Sequence, residues 1–579
     1  MKVSPSAADS AITDRDLASL QEARRLAQRA KQAAPHLAEL TQEQIDRIVD
    51  AMAAAVRPHA ESLARLAVEE TTFGLVADKI QKNLFAADQV YQFIRPMRTV
   101  GVVRRDETRK VIEIAEPFGV VAAIVPSTNP TSTAIYKILI SLKARCPIVL
   151  SPHPSAARCI IRVAEIMSEA ATAAGAPAGS INWMTSVSLE GTQELMKHRD
   201  VAVILATGGM GLVRAAYSAG KPAYGVGPGN APCYIEQSAD LRKAAADIIT
   251  GKSFDNGVLC SSPNSVVVDR AVADEVKRQF IEQGAHFLSP ADADRLAAVL
   301  VTPQRLPNPK FVGKTAKFIA EQVGITVPAT TRVLIAELRG VGRDFPLSIE
   351  KLCPVLSYYV VADWREGCER CIQILRYGGM GHTMSIHSMN DDVILQFGLK
   401  KPAFRIVVNT PTTHGSIGLT TGLDPAMTLG CGGWGGNITS DNISPRHLLN
   451  IKRVAYELRP AQRATATAAS ISATQTVRSP AQDLPRAPGA PAPLGLDAAA
   501  MVRQMESAYG RPVSSSAAGS AGPAADSQAV VDFVCEEDVR QAIRLSRKIV
   551  IGERTIVTPA ARDLADAHRI LVSAAWPRE

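Results

Sequence analysis

The chain has 579 residues, 46% hydrophobic and 21% charged. These proportions exclude a disordered protein and a chain embedded in membrane along its length, and the length calls for two folded domains plus appendages. The formal charge of +8 is uneven: from Arg478 onward twelve Lys/Arg meet twelve Asp/Glu, so the excess lies upstream. A basic upstream part suits a polyphosphate ligand, and without basic residues interleaved with aromatics no nucleic-acid partner is expected.

The opening "MKVSPSAADS" has no apolar run behind its lysine, and stretches such as "GVVAAIVP" are far too short to span a bilayer. A cytoplasmic protein with no membrane partner is expected. Nine cysteines without regular pairing predict thiols rather than a disulfide framework.

In chain order, about Asp14 to Phe73 reads as two or three long helices, with Thr41, Glu43 and Gln44 as a helix start. From Gly119, β-branched runs alternate with Ala-rich helical segments: "GVVAAIVP", "PIVLSP", "SINWMT", "VAVILAT" and "APCYIE". That alternation predicts a parallel sheet with crossover helices, which binds nucleotides at the carboxyl ends of its strands. A second α/β pattern runs from "NSVVVD" at Asn264 to about Asn409 and starts just after Cys260. The predicted fold class is therefore α/β: a Rossmann-like nucleotide-binding domain, an α/β catalytic domain, a small oligomerisation element and a flexible C-terminal extension. The expected boundaries are 1–240 for the N-terminal helices and nucleotide domain, 241–430 for the catalytic domain, and 431–460 for a return to the first domain.

After Pro460 the chain turns Ala/Thr/Ser/Pro-rich, and 461–493 and 511–527 read as linkers. Between them, 494–510 reads as a short amphipathic helix, with Asp497 as N-cap, Val502, Met505 and Tyr509 on one face, and Gly510 as its stop. Residues 528–579 read as a small ordered tail.

The stretch "SFDNGVLCSSPNSVVV" holds one thiol, Cys260, behind a glycine and before a hydroxyl-rich turn. It suits packing, metal binding or nucleophilic attack. A nucleophile needs some thiolate, yet with an ordinary pKa near 8.5 only about 3% of a thiol is ionised at pH 7. No His or Lys is its sequence neighbour, so activation has to come from elsewhere in the fold. Backbone N–H groups from Gly257 to Ser261 are candidate oxyanion donors.

This stretch resembles the catalytic-cysteine segment of the CoA-acylating aldehyde dehydrogenases, especially the aldehyde dehydrogenase half of the bifunctional aldehyde/alcohol dehydrogenases. The resemblance extends in order through "IVPSTNPTSTAIYK", "SPHPSAA", "ILATGGMGLVRAAYSAGKPAYGVGPGN", "EKLCPVLSYY", "GGMGHT", "VVNTPTTHGSIG" and "TLGCGGWGGN", about residues 10–458. It implies Cys260 as nucleophile, Asn129 as the amide that holds the substrate oxyanion, and His382 as a proton-transfer group toward the CoA thiol. It implies that NAD and coenzyme A bind against Pro126, Ser127 and Thr128; Ser151, Pro152 and His153; Thr207, Gly208 and Gly209; Gly225, Val226 and Gly227; and Glu350, the acid expected to hold the nicotinamide ribose. Hydrolytic relatives carry a water-activating glutamate 34 residues before the cysteine, and here that position is Val226. A thioester on Cys260 then waits for a thiol. The resemblance implies acetaldehyde or propionaldehyde as substrate, with sulfoacetaldehyde or another semialdehyde as the alternative and a non-catalytic scaffold as the reading from another class.

No metal site is expected; "CERC", Cys368 to Cys371, lies in a predicted helix and reads as two packed thiols. The bifunctional relatives continue into an iron-dependent alcohol dehydrogenase. This tail instead resembles the extensions of bacterial microcompartment enzymes, both in its tethered helix and in "ERTIVTPAARDL". The likeness implies an encapsulation peptide at Leu494–Tyr509, microcompartment shell proteins as partners and a place in the compartment lumen. The family implies a homodimer or homotetramer.

Overall fold

The computed structural model describes residues 14–459, 531–545 and 547–573. The segment expected to be an encapsulation peptide and both linkers lie outside the described residues. The chain divides into two units, 1–464 and 465–579.

The first unit begins with helices Arg15–Ala38, Gln42–Val56 and Ala60–Thr71. Asp14 starts the first by accepting N–H bonds from Asp16 and Leu17. The second starts with the expected capping box, Thr41 and Gln44 exchanging side-chain and backbone bonds. Its buried stripe, Ile45, Ile48, Val49, Met52, Ala53 and Val56, follows helical spacing and packs into the main core.

A parallel sheet follows, in the order Ile181–Trp183, Ile148–Pro152, Val120–Val125, Val201–Thr207, Ala223–Val226. Strand Val120–Val125 is buried throughout, as a strand covered on both faces must be. The wholly buried helix Pro130–Lys143 ties itself to this sheet, because Lys137 Nζ donates to the carbonyls of Ile124 and Leu205 at 2.7 and 2.9 Å.

The second parallel sheet runs Ala285–Phe287, Val333–Glu337, Val355–Val361, Pro263–Asp269, Ala231–Ile235, Gly381–His387, Ala403–Val408. Two corrections follow. The strand in "APCYIE" belongs to this sheet, paired with Pro263–Asp269 and Gly381–His387, and not to the first. The passage between sheets therefore falls between Val226 and Ala231, earlier than the expected boundary at 240. The Gly/Pro-rich "GPGN" causes it, since it ends one strand and redirects the chain before the next.

An antiparallel sheet of Gly101–Asp106, Val111–Pro117 and Leu449–Ala455 pairs the chain after residue 448 with its first half. Cys368 and Cys371 are buried in helix Trp364–Tyr377, and among the described residues no His/Cys/Asp/Glu cluster could hold a metal. No described helix is long and apolar enough to cross a membrane.

The second unit, over its described residues, is a parallel sheet of Val531–Val534, Ile549–Val557 and Leu571–Ser573 with helices Glu536–Arg544 and Pro559–His568. Its core is Val534, Val539, Ala542, Ala561, Ala565 and Ile570.

Candidate active site

A cavity of about 500 Å³ lies at the carboxyl ends of the first sheet's strands and is closed by the loop that carries Cys260. Its walls include Pro126, Ser127, Thr128, Asn129, Pro152, His153, Thr207, Gly208, Gly209, Val226, Gly227, Cys260 and Glu350. These residues come from turns far apart in sequence, and the two-sheet architecture converges them.

Three expected residues are not in the wall. Ser151 is fully buried and shares a hydrogen bond of 2.8 Å with Thr192. Gly225 is buried against Tyr217, and its carbonyl accepts from Asn437 Nδ2 at 2.6 Å. Both hold wall segments in place from behind. The ring of His382 is buried under Gly229, with Nδ1 bonded to Thr383 Oγ1 at 3.0 Å and Nε2 unpartnered.

Burial holds His382 near pKa 3, so the ring is neutral and weakly basic. The unfolded chain takes up a proton near pH 6.5, which the folded chain refuses down to about 3. Stability from this group is present above pH 6.5 and is lost as the pH falls below it. His382→Asn should therefore flatten the decline in urea-unfolding free energy between pH 7 and 4.5.

The nucleotide wall has the features of a dinucleotide site. Strand Val201–Thr207 ends at Gly208 and Gly209, and Gly209 caps helix Met210–Tyr217 with open space where a Cβ would stand. Thr207 Oγ1 is a buried polar atom of this wall with no partner. A helix N-terminus, an open glycine and an orphaned hydroxyl together fit a pyrophosphate.

Cys260 is half-buried at the cavity floor. Burial, then the Glu350 carboxylate, pushes its thiol up to about 12; the Arg405 guanidinium and the cysteine's own N–H act in the opposite direction. The charge that opposes the rise is thus an arginine's, not that of a histidine or lysine. Glu350 is itself pushed up to about 8 by burial, and its Oε1 accepts from Gly229 N–H at 2.8 Å. Because ionised Glu350 disfavours the thiolate, Glu350→Gln should move the pH profile of iodoacetamide alkylation at Cys260 toward lower pH.

The floor loop is strained. Asp255 and Asn256 are left-handed, at φ 49° and 53°, followed by Gly257 at 75°. Two such non-glycine residues cost about 1–2 kcal/mol each, so the surroundings must hold them. Asp255 is fully buried; its carboxylate accepts Leu75 N–H at 2.7 Å and Lys79 Nζ at 2.9 Å, and it pairs with Lys82. Asn256 Nδ2 reaches the Gly313 carbonyl at 2.9 Å. Asn129, N-cap of helix Pro130–Lys143, accepts Lys82 Nζ on Oδ1 at 2.6 Å. Sequence reasoning missed Lys79, Lys82, Asp255 and Arg405. "ADKIQKN" reads as an exposed helix face, and its i, i+3 lysines gave no sign of a buried carboxylate partner about 175 residues away.

A second cavity, about 550 Å³, meets the first at Gly227, Pro228 and Glu350. Arg214, Arg305 and Arg376 line it, and none has a carboxylate partner among the described residues.

Two parallel sheets, with a cavity at the carboxyl ends of one that holds both a cysteine and a helix N-terminus suited to a pyrophosphate, define an α/β architecture of the nucleotide-binding kind. A family model described as the aldehyde dehydrogenase family matches residues 1–304. The bifunctional aldehyde-alcohol dehydrogenase of Escherichia coli is 43% identical over 435 residues, 74% of this chain and 49% of that one, so the chain spans about half the length of that relative. The acylating sulfoacetaldehyde dehydrogenase of Cupriavidus necator is 39% identical over 437 residues, 74% of this chain and 88% of that one. An acetylating aldehyde dehydrogenase from Geobacillus thermoglucosidasius superposes with TM-score 0.77 at 50% identity, covering 78% of this chain and 100% of that one. A propionaldehyde dehydrogenase of the Clostridium phytofermentans fucose utilisation microcompartment does so with TM-score 0.68 at 28% identity, covering 76% and 99%. The chain belongs to the aldehyde dehydrogenase family, in its acylating group.

Proposed function

We propose that the chain oxidises a short aliphatic aldehyde to its acyl-CoA with NAD, through a thioester on Cys260. The observation that carries this reading is Val226, a 3% exposed apolar side chain in the wall of the cavity that holds Cys260 and Asn129. An apolar wall at the position of the water-activating glutamate leaves the thioester without that base. Glu350 is the one carboxylate among the described lining residues, and its bond to Gly229 supports the ribose-holding role.

In the proposed sequence, Cys260 Sγ loses its proton to solvent and bonds to the carbonyl carbon. The C=O electrons move onto oxygen, held by Asn129 Nδ2 and the Cys260 N–H. NAD+, when bound by Thr207, Gly208, Gly209, Pro152, His153 and Glu350, supplies the hydride acceptor. As the carbonyl re-forms, the aldehyde C–H bond breaks with loss of hydride to that acceptor, leaving a thioester; the CoA thiol, its proton lost to solvent, adds to it under the same two donors, and Cys260 leaves as a thiolate that is reprotonated from solvent. No step is assigned to His382, whose ring the fold seals behind Gly229.

Purified protein with acetaldehyde or propionaldehyde and NAD+ should form NADH continuously only when CoA is present, with acyl-CoA as product. Sustained turnover to the free acid without CoA would refute the reading. A second reading, an anionic aldehyde, is favoured by the three arginines of the adjoining cavity, which have no carboxylate partner among the described residues, and by the sulfoacetaldehyde relative. Running sulfoacetaldehyde and succinate semialdehyde beside the neutral aldehydes decides between them by kcat/KM.

For the extension, the reading is cargo docking on microcompartment shell proteins, supported by the sequence of 494–510 and by the microcompartment origin of one structural neighbour. Deleting 461–579 should keep activity and lose co-purification with shell protein. Self-association as a dimer or tetramer is supported by the exposed apolar residues Phe404 and Val408 on the outermost strand of the second sheet and Leu395 and Leu399 on helix Asp391–Lys400.

A further inference from the structure

Lys82 is 2% exposed, projects from helix Val76–Leu84 and donates to two groups of the candidate site. One is the Asp255 carboxylate, on the loop that carries Cys260. The other is Asn129 Oδ1, at 2.6 Å. We propose that Lys82 is a positioning residue for aldehyde oxidation: it fixes which end of the Asn129 amide faces the reacting oxygen, and it locks that amide to the nucleophile loop through Asp255.

An ammonium has three donors and no acceptor, so the amide atom that faces it has to be oxygen. Asn129 Nδ2 is thereby turned away from Lys82; one contact goes to Thr128 Oγ1 at 3.2 Å, and the remaining N–H is left for the oxyanion. A free asparagine amide flips easily between two nearly equivalent orientations, and the flipped one would present a carbonyl oxygen to a developing negative charge. Lys79 sets the contrast: it is equally buried and pairs with the same carboxylate at 2.9 Å, but its other bond goes to the Thr128 backbone carbonyl at 3.2 Å and not to Asn129. Two lysines thus neutralise Asp255, and only Lys82 reads the amide.

The inference rests on the reading of Asn129 as oxyanion donor, and the experiment separates the two. The variants are Lys82→Met, Lys79→Met, Asn129→Ala and the Lys82→Met/Asn129→Ala pair, assayed as NADH formation with aldehyde and CoA, each with a melting temperature and an iodoacetamide alkylation rate at Cys260. Asn129→Ala is expected to lower kcat by about 10²–10³-fold, as loss of one oxyanion donor does. Lys82→Met should lower kcat by at least about tenfold with KM within about twofold, and should add nothing in the Asn129→Ala background, because coupled residues are not additive. Its alkylation rate should hold, since displacement at iodoacetamide uses no oxyanion donor. Lys79→Met should melt lower but keep at least about fivefold more kcat than Lys82→Met.

Should Lys82→Met fail to fold, Lys82→Gln, whose amide can present Asn129 with either a donor or an acceptor and so no longer dictates its orientation, takes its place with the same pattern expected. Equal losses in the wild-type and Asn129→Ala backgrounds, or an unchanged kcat, would overturn the positioning role. An unimpaired Asn129→Ala would overturn the oxyanion reading and the inference with it.

Discussion

Cys260→Ala should reduce CoA-dependent NADH formation by at least about 10⁴-fold while leaving the melting temperature close to wild type. Removing a nucleophile leaves only binding and the oxyanion donors, which cannot form the C–S bond. The side chain is half-buried at the cavity floor, so its loss opens little new void beyond the cavity already there. Single-turnover measurement with stoichiometric enzyme, followed by mass spectrometry for an acylated protein, checks the point directly. Wild type without CoA should accumulate one acyl group on Cys260, and Cys260→Ala none. A residual rate within about tenfold of wild type would mean that the chemistry lies elsewhere.

The largest expected structural effect is at Gly74. Its φ is +77°, and a Cβ there would stand 1.9 Å from Asp255 Oδ1. That oxygen cannot move aside freely, because it accepts the Leu75 N–H at 2.7 Å while its partner oxygen is held by Lys79 and Lys82. Gly74→Ala has to displace the carboxylate and leave two buried ammonium groups poorly compensated. Breaking a buried pair of this kind costs about 3–5 kcal/mol, and a left-handed alanine adds to it. We expect a clear drop in urea midpoint together with loss of activity. Gly209→Ala is the matched contrast, with nothing within 4 Å of its Cβ and no positive φ; it should leave stability unchanged and weaken NAD binding.

Much of the architecture was legible in the sequence because its signals were local. The β-branched runs from Gly119, the Thr41–Gln44 box and the helical stripe of 42–56 each depend on residues a few positions apart. The sheet assignment of "APCYIE" was not legible, since a buried parallel strand looks the same in either sheet and only the turn before it decides. The hairpin 101–117 lies outside the elements expected from Gly119 onward, although "GVVRRDETRKVIEIAEP" puts a polar turn between two β-prone runs. In the candidate site, glycines and the cysteine motif were readable as chemistry. The cations that shape it were not: the buried Lys82 and Arg405 have the same letters as surface residues, and their roles arise only from groups brought to them by the fold.

The Gly313 carbonyl accepts both the Gly74 N–H at 3.0 Å and Asn256 Nδ2 at 2.9 Å, so it clasps the first helical layer to the nucleophile loop. During synthesis the ribosome has already released the cysteine, the oxyanion amide and both lysines before this residue emerges. A nascent chain that already carries Cys260 and Asn129 still lacks that clasp, the cavity's Glu350 and the second-sheet strands from Val333 to Val408, so the groups placed for chemistry emerge before the framework that would hold them.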